Sequence, residues 1–301
     1  MLFADTGFAV SSPVLFLSQG KRTITITFYT GDDLAGLSAK ETEIRKSLSI
    51  QLSGEKEWID ADIDSITVDE SDNTLKFVII LEKEADPVLA FNSTKIEDHF
   101  DTEFPVLKVS LKNTTDDSYI YSSLKDITLS KLKITTDVED KRDLILQNDN
   151  GILKAGKPFH PFTTRPGIES AFYFGSKEIF QKKLTSFTLK VDWKDVPDDK
   201  LATYFSNLLD ISSNADFKVK GEVLHDNEWK EVESFESIFD NNNAKNTKDI
   251  KFDFPGSLSF DEEIIDEEVN EYIPGIKRGF FRLVLNAPGD AFGHGLYRDK
   301  Y

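Results

Sequence analysis

The chain has 301 residues, of which 39% are hydrophobic and 24 are phenylalanine, enough for one large β-rich unit or two domains with aromatic cores. Its 54 acidic against 36 basic residues give a formal charge of −18, which argues against a phosphate-neutralising face and, with no polybasic run, against anionic lipid. There is no cysteine, so disulfides and thiolate metal sites are excluded, and no apolar run reaches the ~18 residues of a membrane span.

From the N-terminus, period-two patterning dominates. Ile24, Ile26 and Phe28 alternate with Thr23, Thr25 and Thr27, the signature of a strand with one face buried and one wet. Asp33 to Lys46 reads as a helix weakened by Gly36. Asp60, Asp62 and Asp64 imitate the start of a calcium loop. The sixth and twelfth positions are Ser65 and Ser71 instead of glycine and glutamate, so the wet face of a strand is the better reading. Phe77 to Leu81 is apolar on both faces and reads as a central strand. Leu107, Val109 and Leu111 mark another. The polar stretch Lys112 to Ser118 is the candidate domain boundary. Ile127 and Leu129 are out of phase with Leu132 and Ile134, which predicts a bulge near Ser130.

Leu153 to Leu184 is the most unusual segment, with three prolines, five phenylalanines, a tyrosine and three glycines. Proline fixes φ and glycine admits φ > 0, so this backbone is locally dictated, and the aromatics imply a loop packed down onto the fold. Ser176 is placed to cap a short helix through Lys183. Leu184 to Trp193 reads as a strand with Phe187, Leu189, Val191 and Trp193 on one face. Asp198 to Leu209 follows as an amphipathic helix, with Pro197 in its first turn. Alternation returns at Phe217, Val219 and Val223, at Ile250, Phe252 and Phe254, and at Phe281, Leu283 and Leu285, with a polar connection over Asp240 to Asp249. The acidic run Asp261 to Glu271 reads as a solvated face.

The pattern predicts an α+β, strand-dominated fold of antiparallel sheets or sandwich-like lobes with a few short helices. Two lobes are expected, a β-rich one over 1–115 and an α+β one over 116–301 that carries the Pro/Phe-rich loop. Four histidines, His99, His160, His225 and His294, are too dispersed for a local zinc signature. No G-x-S-x-G elbow, P-loop or dinucleotide fingerprint is present. The expectation is therefore no enzyme, no cofactor, no metal site, no nucleic acid and no membrane insertion.

The stretch PFHPFTTRPGIESAFYFGSKEIFQKKLTSFTLKVDW resembles the baseplate J-like wedge component of contractile injection systems, the particles related to contractile phage tails. The matching pieces are a turn with Asn148, Asp149 and Gly151, then Pro158, Phe159, Pro161 and Phe162, then Phe172, Tyr173 and Gly175. Lys183, Leu184, Trp193 and Pro197 follow. Gly7 to Phe28 is similar to the family's segment of small residues, Ser-Pro, an apolar strand and a Gly-x-Arg turn. Phe280 to Tyr297, with Phe292, His294 and Tyr297, is similar to its Ala-Phe-Gly-His-x-x-Tyr segment. Thr163 and Thr164 depart from the pattern, standing where a glycine is expected. A chain that opens within one such segment and stops just past another reads as a fragment of a longer protein.

The resemblance implies a structural part of a baseplate wedge that couples baseplate rearrangement to sheath contraction. The partners implied are other wedge proteins, sheath and hub proteins, and a second copy of itself. The implied location is cytoplasmic assembly and then an injection particle, released or membrane-anchored. Phe159, Phe162, Phe172, Tyr173 and Trp193 are the expected packed anchors, serving the fold before any interface. The alternative is an extracellular β-sandwich carbohydrate-binding module, for which Trp58, Trp193 and Trp229 are the available platforms.

Overall fold

A computed structural model describes residues 6–112, 120–164, 166–167, 169–194, 203, 217–239, 247–255 and 269–285, with only the backbone for 233–236. Packing divides the chain into two units, Met1–Asp143 and Leu144–Tyr301. The first holds strands β1 (Gly7–Ser11), β2 (Lys21–Thr30), β3 (Leu48–Ser53), β4 (Trp58–Ala61), β5 (Ile63–Asp69), β6 (Thr74–Leu81), β7 (Val106–Leu111) and β8 (Leu129–Glu139). They form two antiparallel sheets, β1-β7-β3-β4 and β5-β6-β2-β8. Both sheets feed one core: Ile24, Ile26, Phe28, Phe77 and Ile79 from one, Ile50, Leu52 and Val109 from the other. That is a sandwich-like lobe, built because alternation leaves each sheet one apolar face. A smaller aromatic group, Trp58, Phe91 and Phe100 with Val106, packs under the loop that precedes β7.

Local chemistry explains the details. β2 buries every second side chain, and β6 lies inside its sheet as its apolar run requires, although Val78 and Ile80 are only half-buried. Tyr29 pairs with Lys131 and Thr30 with Leu129, which leaves Ser130 as the extra residue of a bulge. Its hydroxyl donates to the Tyr29 carbonyl at 3.0 Å. The bulge was expected from the phase change, and it lies at this position. The helix expected over 33–46 is shorter. Gly36 adopts φ +77, a 3-10 turn covers Ser38–Lys40, and α1 spans only Glu41–Ser47, with acids in its first turn and Arg45 and Lys46 in its last. Asp60, Asp62 and Asp64 are all exposed, on and beside β4 and β5.

The Gly-x-Arg turn ahead of β2 has a physical meaning. Gly20 has φ +88, and a Cβ there would collide with the Glu139 carbonyl. Arg22 occupies the buried phase of β2 and is 0% exposed. Its Nη1 donates to the carbonyls of Leu17 at 3.1 Å and Asp86 at 2.9 Å, and its Nη2 to those of Glu82 at 2.9 Å and Ala85 at 2.8 Å. One guanidinium thus fastens the 82–86 turn to Leu17, which itself bridges to Val88.

The second unit holds β9 (Ile145–Asn148), β10 (Gly151–Ile152), β11 (Ala171–Gly175), β12 (Ser186–Asp192), β13 (Lys218–His225), β14 (Glu228–Ser237), β15 (Thr247–Asp253) and β16 (Phe280–Leu285). Six form an antiparallel sheet, β10-β9-β11-β16-β13-β14, and β12 pairs with β15 as a ribbon. Phe172, Phe174, Val219, Val223, Phe281 and Leu283 share a core with Leu189, Ile250 and Phe252 of the ribbon. Gly221 permits this contact, since a Cβ there would lie 2.5 Å from the Phe252 ring. Ser176 caps a turn and not the helix expected to Lys183: its hydroxyl accepts from the Ile179 N–H at 3.2 Å, and the chain leaves the helical path at Gln181. The expected helix over 198–209 lies outside the described residues except at Thr203, which is helical. Pro197, residues 113–119 of the polar connection, 240–246 of the later one and 261–268 of the acidic run also lie outside them.

Candidate functional site

The Pro/Phe loop grows out of the β9–β10 hairpin. Asn148 ends β9, and its Oδ1 accepts from the Asn150 N–H at 2.9 Å while its Nδ2 donates to the His160 carbonyl at 3.0 Å. Asp149 Oδ2 accepts from the Ala171 N–H at 3.1 Å, and Gly151 takes φ +116. So Asn148 holds the loop's middle, Asp149 holds its end and Gly151 makes the turn possible. On this frame Phe172 is a hub. Phe162 lies 6.3 Å away, Phe159 5.6 Å and Phe174 4.3 Å between ring centroids. Phe162 and Phe172 are 7% and 6% exposed, whereas Phe159 is 37% exposed beside the exposed Pro158, with Pro161 half-buried between them. Thr163 has φ +71, the left-handed region that glycine favours, so the departure from the family's glycine keeps the turn and carries its strain.

Gly175 is buried, and a Cβ there would sit 2.5 Å from the Phe280 ring and 3.1 Å from Ile145 Cβ. Trp193 is half-buried. Its Nε1 donates to the Ile238 carbonyl at 2.8 Å and its ring meets Phe239 at 5.0 Å. Phe292, His294 and Tyr297 lie outside the described residues.

The sheet's opposite face carries a row that the sequence reading missed. Cross-strand register aligns Gln147, Tyr173, Arg282, Glu222 and Glu231 on five adjacent strands. Arg282 grips Glu222 Oε2 with Nε and Nη2, each at 2.6 Å, and lies 4.2 Å over the Trp229 ring. Lys220 reaches Glu222 at 2.7 Å and Glu231 at 3.1 Å, and Glu222, with Glu231 behind it, holds the Lys220 ammonium above its ordinary pKa. Tyr173 stacks on Tyr272 at 5.1 Å. Burial first, then the Asp149 carboxylate, push its phenol up. Gln147 bonds both ways with the Tyr272 backbone, at 3.0 and 3.2 Å. The signal was a charged residue inside FFRLVL, in phase with Phe280 and Val284.

A shallow polar cleft of about 470 Å³ lies between Tyr173, Tyr272, Pro274 and the 147–151 turn. Its carboxylate, Asp149, accepts the Ala171 backbone N–H described above. Among the described residues no group of three or more His, Asp or Glu could hold a metal ion. His99 and His160 are exposed, and His225 lies 3.4 Å from Asp226. The tryptophans are engaged elsewhere: Trp58 with Phe91 and Lys108, Trp193 with Phe239, Trp229 with Arg282. No helix among the described residues is long and apolar enough to cross a membrane.

A family model described as Baseplate protein PVC11-like matches residues 3–271, which include both sheets of the first unit and the whole Pro/Phe loop. Comparison with curated proteins gives no match.

Proposed function

The chain belongs to the PVC11-like baseplate protein family, and from that membership we propose that it is a non-catalytic wedge part which couples baseplate rearrangement to sheath contraction. The observation that carries the reading is the family match across both units. In this role the chain assembles in the cytoplasm with other wedge proteins, sheath, hub and a second copy of itself, then becomes part of the particle. Such a part needs rigid contact surfaces with two discrete arrangements and no reactive site. The Pro/Phe loop supports this: it is tied at Asn148 and Asp149, packed through Phe162 and Phe172, and presents Pro158 and Phe159 outward. An exposed aromatic on a fixed base is the chemistry of an interface anchor.

The test is a deletion of this chain, complemented by wild type or by a Phe159→Ser variant, with particles viewed by electron microscopy. The reading expects no capped, contractile particles from the deletion and far fewer from Phe159→Ser. Normal particles from the deletion sink it. Normal particles from Phe159→Ser alone remove only the loop's part.

A further inference from the structure

β8 ends its sheet, and among the described residues no strand pairs with its outer edge. It runs eleven residues without proline, the kind of edge that accepts another strand. Its odd-numbered positions are exposed, and Leu132, Ile134, Thr136 and Val138 are half-buried at the margin of the core. The exposed face reads Lys131, Lys133, Thr135, Asp137, Glu139. Among the described residues none of these four charges is in an ion pair, although Lys131 lies 5.3 Å from the Tyr29 ring.

That face is complementary to itself. Antiparallel pairing about Thr135 sets Lys131 against Glu139 and Lys133 against Asp137, twice each by symmetry. On the other face Leu132 meets Val138 and Ile134 meets Thr136, with directly opposite residues in contact. Moving the centre to Ile134 leaves Lys133 opposite Thr135. Moving it to Thr136 sets Lys131 against Lys141. An in-register parallel pairing puts like charges side by side. We propose that β8 pairs with β8 of a second copy of this chain, antiparallel, about a two-fold axis at Thr135, joining the two β5-β6-β2-β8 sheets into one of eight strands. This names the surface for the self-association in the role proposed above, and rests on it. The contact is isologous, so it closes at two copies.

The full chain has no cysteine, so Thr135→Cys supplies one thiol that the axis places opposite its own copy. The expected result is a sedimenting dimer, weakened by salt, and a T135C dimer captured by oxidation or a short bismaleimide. The double variants K131E/K133E and D137K/E139K should each raise the dimer dissociation constant at least ~10-fold, since every cross-strand attraction becomes a repulsion. An equimolar mixture of the two should restore the dimer, because one strand is then all acidic and the other all basic. A dimer unmoved by both swaps and not captured through T135C overturns the β8 assignment while leaving self-association in place elsewhere. A monomeric wild type at all concentrations overturns both, and the edge lysines then serve to repel strand addition.

Discussion

Replacing Arg22 by methionine keeps an apolar stem of similar reach and removes every donor from a site that is 0% exposed. Four backbone carbonyls, of Leu17, Glu82, Ala85 and Asp86, then lose a charged donor, and those of Leu17 and Glu82 keep the N–H of Val88 and of Ala85. Each lost hydrogen bond is worth ~0.5–1.5 kcal/mol, and three of the four are only part-buried, so ~1 kcal/mol each is the apt figure and ~4 kcal/mol the gross loss. Leaving a guanidinium out of the interior returns ~1–2 kcal/mol of its desolvation. The expected net is ~2–3 kcal/mol, or ~1.3–2 M off the urea midpoint at a slope of ~1.5 kcal/mol/M. Arg22→Lys keeps the charge but has no planar fork to serve two pairs of carbonyls, and should lose ~1–2 kcal/mol. Urea titration with hydrogen exchange read peptide by peptide locates the effect. Amides of β2 and β6 should lose protection while those of β13 and β16 keep it. An Arg22→Met chain within ~0.5 kcal/mol of wild type would refute the stapling argument, as would a loss centred on the second unit.

Gly175→Ala should destabilise the second unit by ~1–3 kcal/mol, because the new methyl meets the fully buried Phe280 ring; an unchanged thermal midpoint contradicts that. Glu222→Gln leaves Arg282 and Lys220 facing each other's charge in a largely buried row, and should cost ~2–3 kcal/mol. The double variant Glu222→Leu/Arg282→Met should cost less than Glu222→Leu and Arg282→Met added, and strict additivity in that cycle would deny the coupling. Glu70 gives the pH dependence. Its Oε1 accepts from the Ser38 hydroxyl at 2.5 Å and N–H at 3.2 Å, then from the Gly36 N–H at 3.1 Å, and these bonds hold its carboxyl below the ordinary glutamate range. Protection of the 36–38 amides should therefore be full above that range and fade as pH falls through the lowered value. In Glu70→Gln the fade should vanish, and a fade that persists assigns it to another group.

The strands were legible because each sheet buries one face, so alternation located β2, β12 and β15, and a change of phase located the bulge at Ser130. Arg22 is the instructive case. Its place in phase with Ile24, Ile26 and Phe28 was a signal of burial that the sequence reading did not use, and the carbonyls that accept it belong to a turn some sixty residues on, which no local pattern exposes. The missed row on the second sheet has the same cause: Glu222 and Arg282 are neighbours only through the register of β13 and β16. The short helix expected after Ser176 failed because a serine cap is equally good for a single turn, and Gln181 and Lys182 are drawn into the interior there. At Thr163 propensity was no guide, since a β-branched residue gives no hint of φ +71.

The place of β2 inside its sheet also sets a timetable for synthesis. Thr25 pairs with Val78 on one side and with Thr135 on the other. At ~5–20 residues per second, a growing chain can close the first side long before the second, which waits another ~3–12 s for β8 to be made. During that interval KRTITITFYT is the open edge of a half-built sandwich, with the apolar FVIIL of β6 beside it and part of the shared core still uncovered. The nascent first unit is thus most prone to misassociation between the appearance of β6 and that of β8, and its yield should depend more on elongation rate and chaperone supply than that of a chain whose central strand meets both neighbours at once.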